Sequence, residues 1–228
     1  MVAIIKIMFD AILYINLEHR KDRKESVIEE ISKLSHITTN IHRINGVLHK
    51  LCGHIGCARS HINALQLAIE NQWNSVLIVE DDLEVVGDLS VLDKIDKIKW
   101  DVMLLGYAHN NNKPSKYNFL VKVNGSTTTI GYIIRKHYYE TLLGNFKESL
   151  DIMEEELKSH IKKYEELGEE IPKLHYCTAI DQHWFKLQDK DIFYAFKPKI
   201  GIPKSIFYSD NNCTIEHQAR ILHQSEQS

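Results

Sequence analysis

The chain has 228 residues, 43% of them apolar, which is enough to bury a sizeable core in one large domain or two small ones. Its formal charge of -3 gives no basic face of the kind that nucleic-acid binding needs, so no nucleic-acid partner is expected. No apolar run reaches the roughly 18 residues of a spanning helix, and no signal peptide is evident, so we expect no transmembrane segment and a cytoplasmic location. The four cysteines match no zinc-knuckle spacing, and we expect them to be reduced.

Predicted strands and helices alternate along the first part of the chain. A strand is predicted over 11–17, an amphipathic helix over 22–34 and a short strand over 41–44. The clearest helix covers 56–71 and leads through a polar turn into a continuous aliphatic strand over 76–79. This alternation predicts an α/β fold with a mostly parallel sheet, in which the last strand is buried on both faces.

A long charged helix interrupts the strands predicted for the second part of the chain. Between residues 147 and 173 the composition shifts to Glu and Lys, while apolar residues recur every three or four positions. This pattern predicts an amphipathic helix of about six turns or more. The helix either packs along one stripe on the core or protrudes to contact a partner subunit or the acceptor. Further strands are predicted over 102–105, 119–123, 131–134 and 193–196.

The stretch VLIVEDDLEV places four aliphatic residues directly before three carboxylates, Glu80, Asp81 and Asp82. Ligands of open α/β sheets bind at the carboxyl ends of strands, and Mg²⁺ and Mn²⁺ prefer carboxylate oxygens. Alternate residues of an extended segment point the same way, so Glu80 and Asp82 would converge on one ion while Asp81 faces elsewhere. The alternative is a solvated turn in which water screens the three charges. The triplet by itself does not decide between them.

Three segments, in their order and at their separations, resemble glycosyltransferase family 25, which includes lipooligosaccharide and procollagen galactosyltransferases. They are YINLEHRKDR (14–23), GHIGCARSHINALQLA (53–68) and VLIVEDDLEV (76–85). Each segment alone is a weak signal, and the three together are specific.

The resemblance continues less tightly through TTTIGYIIRKHYYETLL (127–143), TAIDQHWF (178–185) and the tail over 193–210. The charged helix at 147–173 is the main departure and is interpreted as an insertion into a single domain over 1–228. The insertion is expected to change which acceptor the protein binds more than which reaction it catalyses.

The resemblance implies a GT-A type, Rossmann-like, mostly parallel sheet flanked by helices, which binds a nucleotide sugar together with Mn²⁺ or Mg²⁺. It implies the transfer of a hexose, galactose or glucose, from a UDP-linked nucleoside-diphosphate sugar to a hydroxyl of a glycan or protein acceptor, with inversion. A possible oligomer would form through the helix at 147–173.

The resemblance also assigns roles to the acidic residues. Glu80 and Asp82 would hold the metal on the donor diphosphate, with Asp81 as a further candidate ligand or as a group facing the donor ribose. Asp181 would be the general base that takes the proton of the acceptor hydroxyl. Its alternative role is the N-cap of a short helix.

Donor-binding roles fall on polar residues of the matched motifs. Asn16 supplies an amide at a strand end, and Arg20 and Arg23 supply cations in the turn that follows. These groups can reach a base and a phosphate. Ser60 and His61 are expected at a helix N-terminus, which favours anions, although Ser60 is equally suited to capping and a single His is more often structural. A glycine allows close backbone approach to a ligand. The candidates are Asn16, Arg20, Arg23, Ser60, His61, Asp81, Gly131 and Tyr132.

Weaker candidates lie in the later segments. His183 and Trp184 would line the acceptor pocket, although a core position suits Trp184 better, and His217 is a candidate late metal ligand. Cys57 is interpreted as a packing residue.

Two rival functions use the same sequence features. A phosphoryl-transfer or hydrolytic enzyme is disfavoured because the chain has no G-x-x-x-x-G-K-[ST] phosphate loop. A non-catalytic glycan-binding or scaffold protein would keep the fold and use the helix at 147–173 as its interaction surface. The presence of both the acidic triplet and Asp181 favours the enzyme.

Overall fold

The computed structural model describes residues 9–108, 112–170 and 178–207. The strands are β1 (Ala11–Asn16), β2 (Ile41–Asn45), β3 (Ser75–Glu80), β4 (Leu83–Val85), β5 (Val102–Leu104), β6 (Lys113–Pro114), β7 (Leu120–Lys122), β8 (Gly131–Arg135), β9 (Phe193–Phe196) and β10 (Gly201–Pro203). The helices are α1 (Lys21–Ser32), α2 (Gly53–Glu70), α3 (Tyr139–Leu167), α4 (Ile180–His183) and α5 (Phe185–Lys190).

Eight of these strands form one sheet in the order β2-β1-β3-β8-β5-β9-β7-β6, and β4 pairs separately with β10. In the large sheet β1, β2 and β3 are parallel, and β5 and β9 run the same way because β8 is antiparallel to both β3 and β5. Strands β7 and β8 run against the others. The predicted α/β fold with a mostly parallel sheet flanked by helices is therefore confirmed.

Helices cover both faces of the sheet because successive strand residues point to opposite sides. On one face Leu13 and Ile78 pack with α2 and α3. On the other face Ile12 and Leu77 pack with α1 and with a 3-10 helix over 89–97. Both faces of β3 are buried, which accounts for its continuous aliphatic sequence.

The chain crosses from one side of β1 to the other between β2 and β3. Helix α1 leads from β1 to β2 on one side, and α2 leads back to β3 on the other side of β1. A crevice opens in such sheets at the carboxyl ends of the strands where the direction reverses. Ile15 pairs with Glu80 there, so Asn16 and the acidic triplet meet at this crevice.

The charged segment is not a separate helix, and its interpretation as an insertion stays a prediction. It forms the later part of α3, a continuous helix of 29 residues from Tyr139 to Leu167, which is followed by Gly168 as C-cap with φ 68°, a left-handed conformation that glycine adopts readily. Phe146, Met153 and Leu157 of this helix are buried, so the first part of the helix packs along one stripe on the core, as one of the two interpretations predicted. Beyond Leu157 its side chains are largely exposed. Residues 171–173 lie outside the described residues.

Across the described ranges, no helix combines the length and the apolar character that crossing a membrane requires.

Candidate functional site

A first pocket opens at the crevice beside β1 and β3. The loop after β2, helix α2 and the acidic triplet form its walls. Six of the predicted site residues line it: Arg23, Ser60, His61, Glu80, Asp81 and Asp82.

Asp81 connects three elements beneath this pocket. The Asn16 side chain on β1 donates to one carboxylate oxygen at 2.7 Å, and Arg23 on α1 donates to the other at 2.9 Å. Burial raises the pKa of Asp81 although both hydrogen bonds act to lower it. Since the protein engages both oxygens of Asp81, this residue anchors the site, and Glu80 and Asp82 are better placed to meet a ligand.

Glu80 points to the opposite face of β3, where α2 packs. His61, which is fully buried, places its Nε2 atom 3.2 Å from Glu80 Oε1, and the hydroxyl of Thr129 donates to the same oxygen. Burial acts to raise the pKa of Glu80, but these hydrogen bonds outweigh it and hold the pKa below its usual value. Glu80 is therefore ionised at neutral pH and fixed in orientation.

Asp82 is the least satisfied carboxylate of the triplet. Its Oδ1 atom is buried and has no hydrogen-bond partner among the described residues, and its Oδ2 atom lies 3.9 Å from Arg23. Burial, together with the negative charge of Glu80, raises the pKa of Asp82 to about 7. An unsatisfied buried oxygen beside further carboxylates fits a divalent cation, which would replace the missing interactions.

The raised pKa of Asp82 predicts that Asp82→Asn stabilises the fold at high pH. Between the unfolded pKa near 4 and the folded pKa of about 7, the folded state holds a proton that the unfolded state has lost, so wild-type stability falls as pH rises through this window. At pH 8 we expect the free energy of unfolding of the variant to exceed that of wild type by on the order of 1–3 kcal/mol, so that the variant unfolds at a higher temperature. At pH 4 we expect a small difference. Thermal melts of the cation-free protein at both pH values test this, and equal shifts at the two would contradict it.

Ser60 and His61 do not open a helix, contrary to the prediction. Helix α2 begins at Gly53, so both residues lie about two turns inside it, beyond the reach of its N-terminal amides. The Ser60 hydroxyl instead donates to the carbonyl of Gly56 at 2.7 Å and accepts from the amide of Val47 at 2.9 Å. Ser60 thus holds the loop after β2 against α2 and shapes the first pocket.

Gly56 allows this loop to approach α2. A Cβ atom at Gly56 would lie 2.2 Å from the carbonyl oxygen of Val47, so Gly56→Ala must displace the backbone. We expect a loss of stability of about 1–3 kcal/mol, measured by denaturant unfolding. The matched control is Gly144→Ala in α3, where a Cβ atom meets nothing within 4 Å. We expect the control to gain about 0.5–1 kcal/mol, and two equal effects would refute the packing explanation.

Arg20 and Arg23 have different positions. Arg23 is buried in the wall of the first pocket, whereas Arg20 makes two hydrogen bonds to Asp22 at 3.0 and 3.1 Å and lies outside that wall. The guanidinium groups of both lie near the ring of Phe207, at 5.9 Å for Arg20 and 5.2 Å for Arg23. Of the two, Arg23 is therefore the one placed to meet a ligand in this pocket.

Gly131 and Tyr132 lie under the pocket. A Cβ atom at Gly131 would be 2.8 Å from the Leu105 side chain, so packing accounts for the glycine. Tyr132 is fully buried, and its hydroxyl lies 3.0 Å from Nδ1 of His61. Both residues support the site from below, and a direct contact with the donor stays a prediction.

A second pocket adjoins the first and contains Asp181. Asp181 lies in the first turn of α4, and the N-cap of that helix is Ala179, so the alternative role of Asp181 as an N-cap is wrong. Thr127, Thr128 and Thr129 form another wall. Cys57 and Glu80 line both pockets, so the predicted base lies in the pocket that adjoins the acidic triplet.

The weaker candidates take structural positions. His183 lies 3.3 Å from Glu148 on α3, and Trp184 is fully buried, with its indole N–H donating to the carbonyl of Ser126 at 2.9 Å. Trp184 is therefore a core residue. His217 lies outside the described residues.

Two site residues escaped the sequence prediction. Arg43 on β2 donates to the Asn16 side-chain oxygen at 3.2 Å and so orients the amide that holds Asp81. Thr129 donates to Glu80 from the segment before β8. Arg43 follows from its place near the carboxyl end of a strand parallel to β1, but only the tertiary fold brings Thr129 to Glu80.

Comparison with known proteins finds relatives by sequence. Human procollagen galactosyltransferase 2 is 24% identical over 178 residues, which cover 61% of this chain and 28% of the relative. A Haemophilus influenzae protein named "Putative glycosyltransferase" is 39% identical over 85 residues, which cover 37% of this chain and 29% of that protein. Part of the chain is thus similar in sequence to glycosyltransferases. The predicted resemblance to glycosyltransferases is confirmed at low identity, and the chain spans less than a third of the length of these relatives.

No family model matches this chain. Among solved structures, a glycosyltransferase involved in the glycosylation of the major capsid of PBCV-1 is 12% identical, with a TM-score of 0.44 over 94% of this chain and 98% of that chain. The glycosyltransferase GlyE of Streptococcus pneumoniae TIGR4 is 10% identical, with a TM-score of 0.45 over 82% of this chain and 44% of that chain.

Proposed function

We propose that the protein is a metal-dependent glycosyltransferase that transfers a hexose from a nucleoside-diphosphate sugar, UDP-linked, to a hydroxyl of a glycan or protein, with inversion at the anomeric carbon. The observation that carries the proposal is the pair of adjoining pockets, one containing the acidic triplet and the other Asp181. The sequence relatives support the same reaction class.

The first pocket is the proposed donor site. Glu80 and Asp82 would hold Mn²⁺ or Mg²⁺, which supplies positive charge to neutralise the leaving nucleoside diphosphate. Arg23 adds a guanidinium in the same wall, where it is held by Asp81. The hydrogen-bonded network of the buried Asn16 and Asp81 and the half-buried Arg43 keeps these groups in fixed positions before the donor arrives.

The second pocket is the proposed acceptor site. The Asp181 carboxylate would take the proton of the acceptor hydroxyl while that oxygen bonds to the anomeric carbon and the bond from that carbon to the diphosphate oxygen breaks. Inversion requires the base and the leaving group on opposite sides of the sugar. Because the two pockets adjoin at Cys57 and Glu80, the donor sugar would lie across their junction, with its diphosphate in the first pocket and Asp181 beyond the anomeric carbon.

The sugar and the acceptor are proposed from the relatives and from α3. Galactose is the first candidate because the human relative is a procollagen galactosyltransferase, and glucose is the second. The largely exposed end of α3 beyond Leu157 is the proposed contact for the acceptor or for a second subunit.

A donor screen tests the proposal. Hydrolysis and transfer are measured for a panel of UDP-, GDP- and CMP-linked sugars with Mn²⁺, with Mg²⁺ and with chelator, using wild type and Asp82→Ala. We expect one UDP-hexose to be turned over with a divalent cation and no turnover above background in the variant. Carbohydrate binding that survives chelation and Asp181→Asn, without turnover of any donor, would support the scaffold function instead.

A further inference from the structure

We propose that Cys57, His61 and Glu80 form a binding site for a soft divalent cation of the Zn²⁺ type, different from the site for a hard cation at Glu80 and Asp82. Cys57 and His61 are four residues apart on α2, so their side chains share one face of the helix. Glu80 meets them from the end of β3. The proposed site depends on these three residues and does not depend on which reaction the protein catalyses.

The three side chains already lie close together. Their ligand atoms, one from each residue, are all within 4.8 Å of one another. Zinc–ligand distances of about 2.0–2.3 Å in a tetrahedron place ligand atoms roughly 3.5 Å apart. Side-chain rotations that shorten the longest separation between ligand atoms by about 1 Å would therefore give the geometry that zinc needs. The His61 Nε2 atom and Glu80 Oε1, at 3.2 Å, need little movement.

His61 has the support that a metal-binding histidine needs. Its Nδ1 atom lies 3.0 Å from the hydroxyl of Tyr132, and the rings of the two residues stack at 5.7 Å. A tyrosine hydroxyl accepts as well as donates, so it can accept a hydrogen bond from Nδ1–H in the tautomer whose Nε2 lone pair faces the cation. Ring orientation is thereby fixed before metal binds.

The ligand set selects the class of metal. A thiolate and an imidazole favour Zn²⁺ over Mg²⁺ and Mn²⁺, for which carboxylate oxygens are better ligands. Burial and the negative charges of Glu80, Asp181 and Asp82 raise the pKa of the Cys57 thiol, so without a cation the thiol keeps its proton. Binding of the metal would release that proton to solvent and leave a thiolate ligand.

Sharing of Glu80 makes the two sites interdependent. A Zn²⁺ ion on Cys57, His61 and Glu80 would occupy the wall between the two pockets and keep an open coordination position, as three-ligand zinc sites do. It would also withdraw Glu80 from a hard cation at Asp82. Zn²⁺ and Mn²⁺ are therefore expected to compete for the protein.

Cobalt spectroscopy of the full chain tests the site. Metal-stripped protein is titrated with Co²⁺, and thiolate-to-metal charge-transfer absorption is recorded for wild type, Cys57→Ser, Asp82→Asn and the matched control Cys52→Ser, which alters a buried cysteine near the start of α2. We expect the band in wild type, Asp82→Asn and the control, its loss in Cys57→Ser, and its displacement by one equivalent of Zn²⁺. No band in wild type, or an undiminished band in Cys57→Ser, would overturn the proposal.

A second measurement needs no variant and covers the case in which Cys57→Ser does not fold. Wild-type protein is alkylated with and without Zn²⁺, and each cysteine is followed by peptide mass spectrometry. We expect Zn²⁺ to slow modification of Cys57 by at least tenfold, Mg²⁺ to leave it unchanged, and Cys52 to respond to neither. Equal rates at Cys57 with and without Zn²⁺ would overturn the site. A donor screen without turnover would overturn the proposed function and leave these two readouts unaffected.

Discussion

Replacement of Asp181 by Asn is expected to lower the rate of sugar transfer by about 10²–10⁴-fold while leaving donor binding nearly unchanged. The physical reason is that an amide cannot take the proton of the acceptor hydroxyl, whereas Asp81 and Asp82 line the first pocket and not the pocket of Asp181. The measurement is kcat for transfer to an acceptor identified by screening, together with the donor Kd from calorimetry.

Asp189→Asn is the matched control for this experiment. Asp189 is an exposed carboxylate on α5, close in sequence to Asp181, and its loss should leave kcat unchanged. If Asp181→Asn retained wild-type transfer, or if it lost donor binding to the same extent as transfer, Asp181 would not be the base.

Replacement of Asp82 by Asn is expected to abolish the stabilisation that a divalent cation and a nucleoside diphosphate together give to the fold. At 100 times its Kd a ligand adds about 2.7 kcal/mol, which for a domain of this size raises Tm by roughly 5–10 °C. Asp82 Oδ1 is the buried carboxylate oxygen without a partner among the described residues, and replacement by an amide removes the negative charge that this group offers to the ion. Tm is measured with UDP alone, Mn²⁺ alone and both.

The control for this shift is Glu84→Gln, two residues along the chain on β4, outside the wall of the first pocket. It should respond to UDP and Mn²⁺ as wild type does. Each variant is compared with its own ligand-free Tm, because Asp82→Asn by itself is expected to stabilise the fold at neutral and higher pH. A full ligand-induced shift in Asp82→Asn would assign the ion to other residues.

The ligand-induced Tm shift and the cobalt band together test the role of Glu80, which belongs to both proposed metal sites. If the cation-dependent shift is lost in Asp82→Asn but the cobalt band persists, the hard and soft sites use different partners of the same carboxylate. The fixed orientation of Glu80, held by His61 and Thr129, is what would let one residue serve both.

Much of the fold follows from local sequence. The continuous aliphatic run before Glu80 determines a strand buried on both faces, and the apolar stripes at helical spacing determine α1 and α2, because burial of apolar surface dominates local choices. The order of strands and helices likewise determined the α/β class and placed the acidic triplet at a carboxyl end. The sequence located the start of α2 less accurately than its apolar stripe. The helix begins at Gly53 rather than at residue 56, and it has no side-chain cap that could have marked its start.

Only the tertiary structure decided what each polar side chain does. The sequence ranked the three carboxylates by alternation along an extended chain. The fold instead separates them by partners: Asp81 is held by Asn16 and Arg23, Glu80 faces α2, and Asp82 keeps an unsatisfied oxygen. These partners lie 19 to 65 residues away along the chain. Hydrogen bonds and burial act through space, and therefore pKa values and ligand sets are properties of the assembled site.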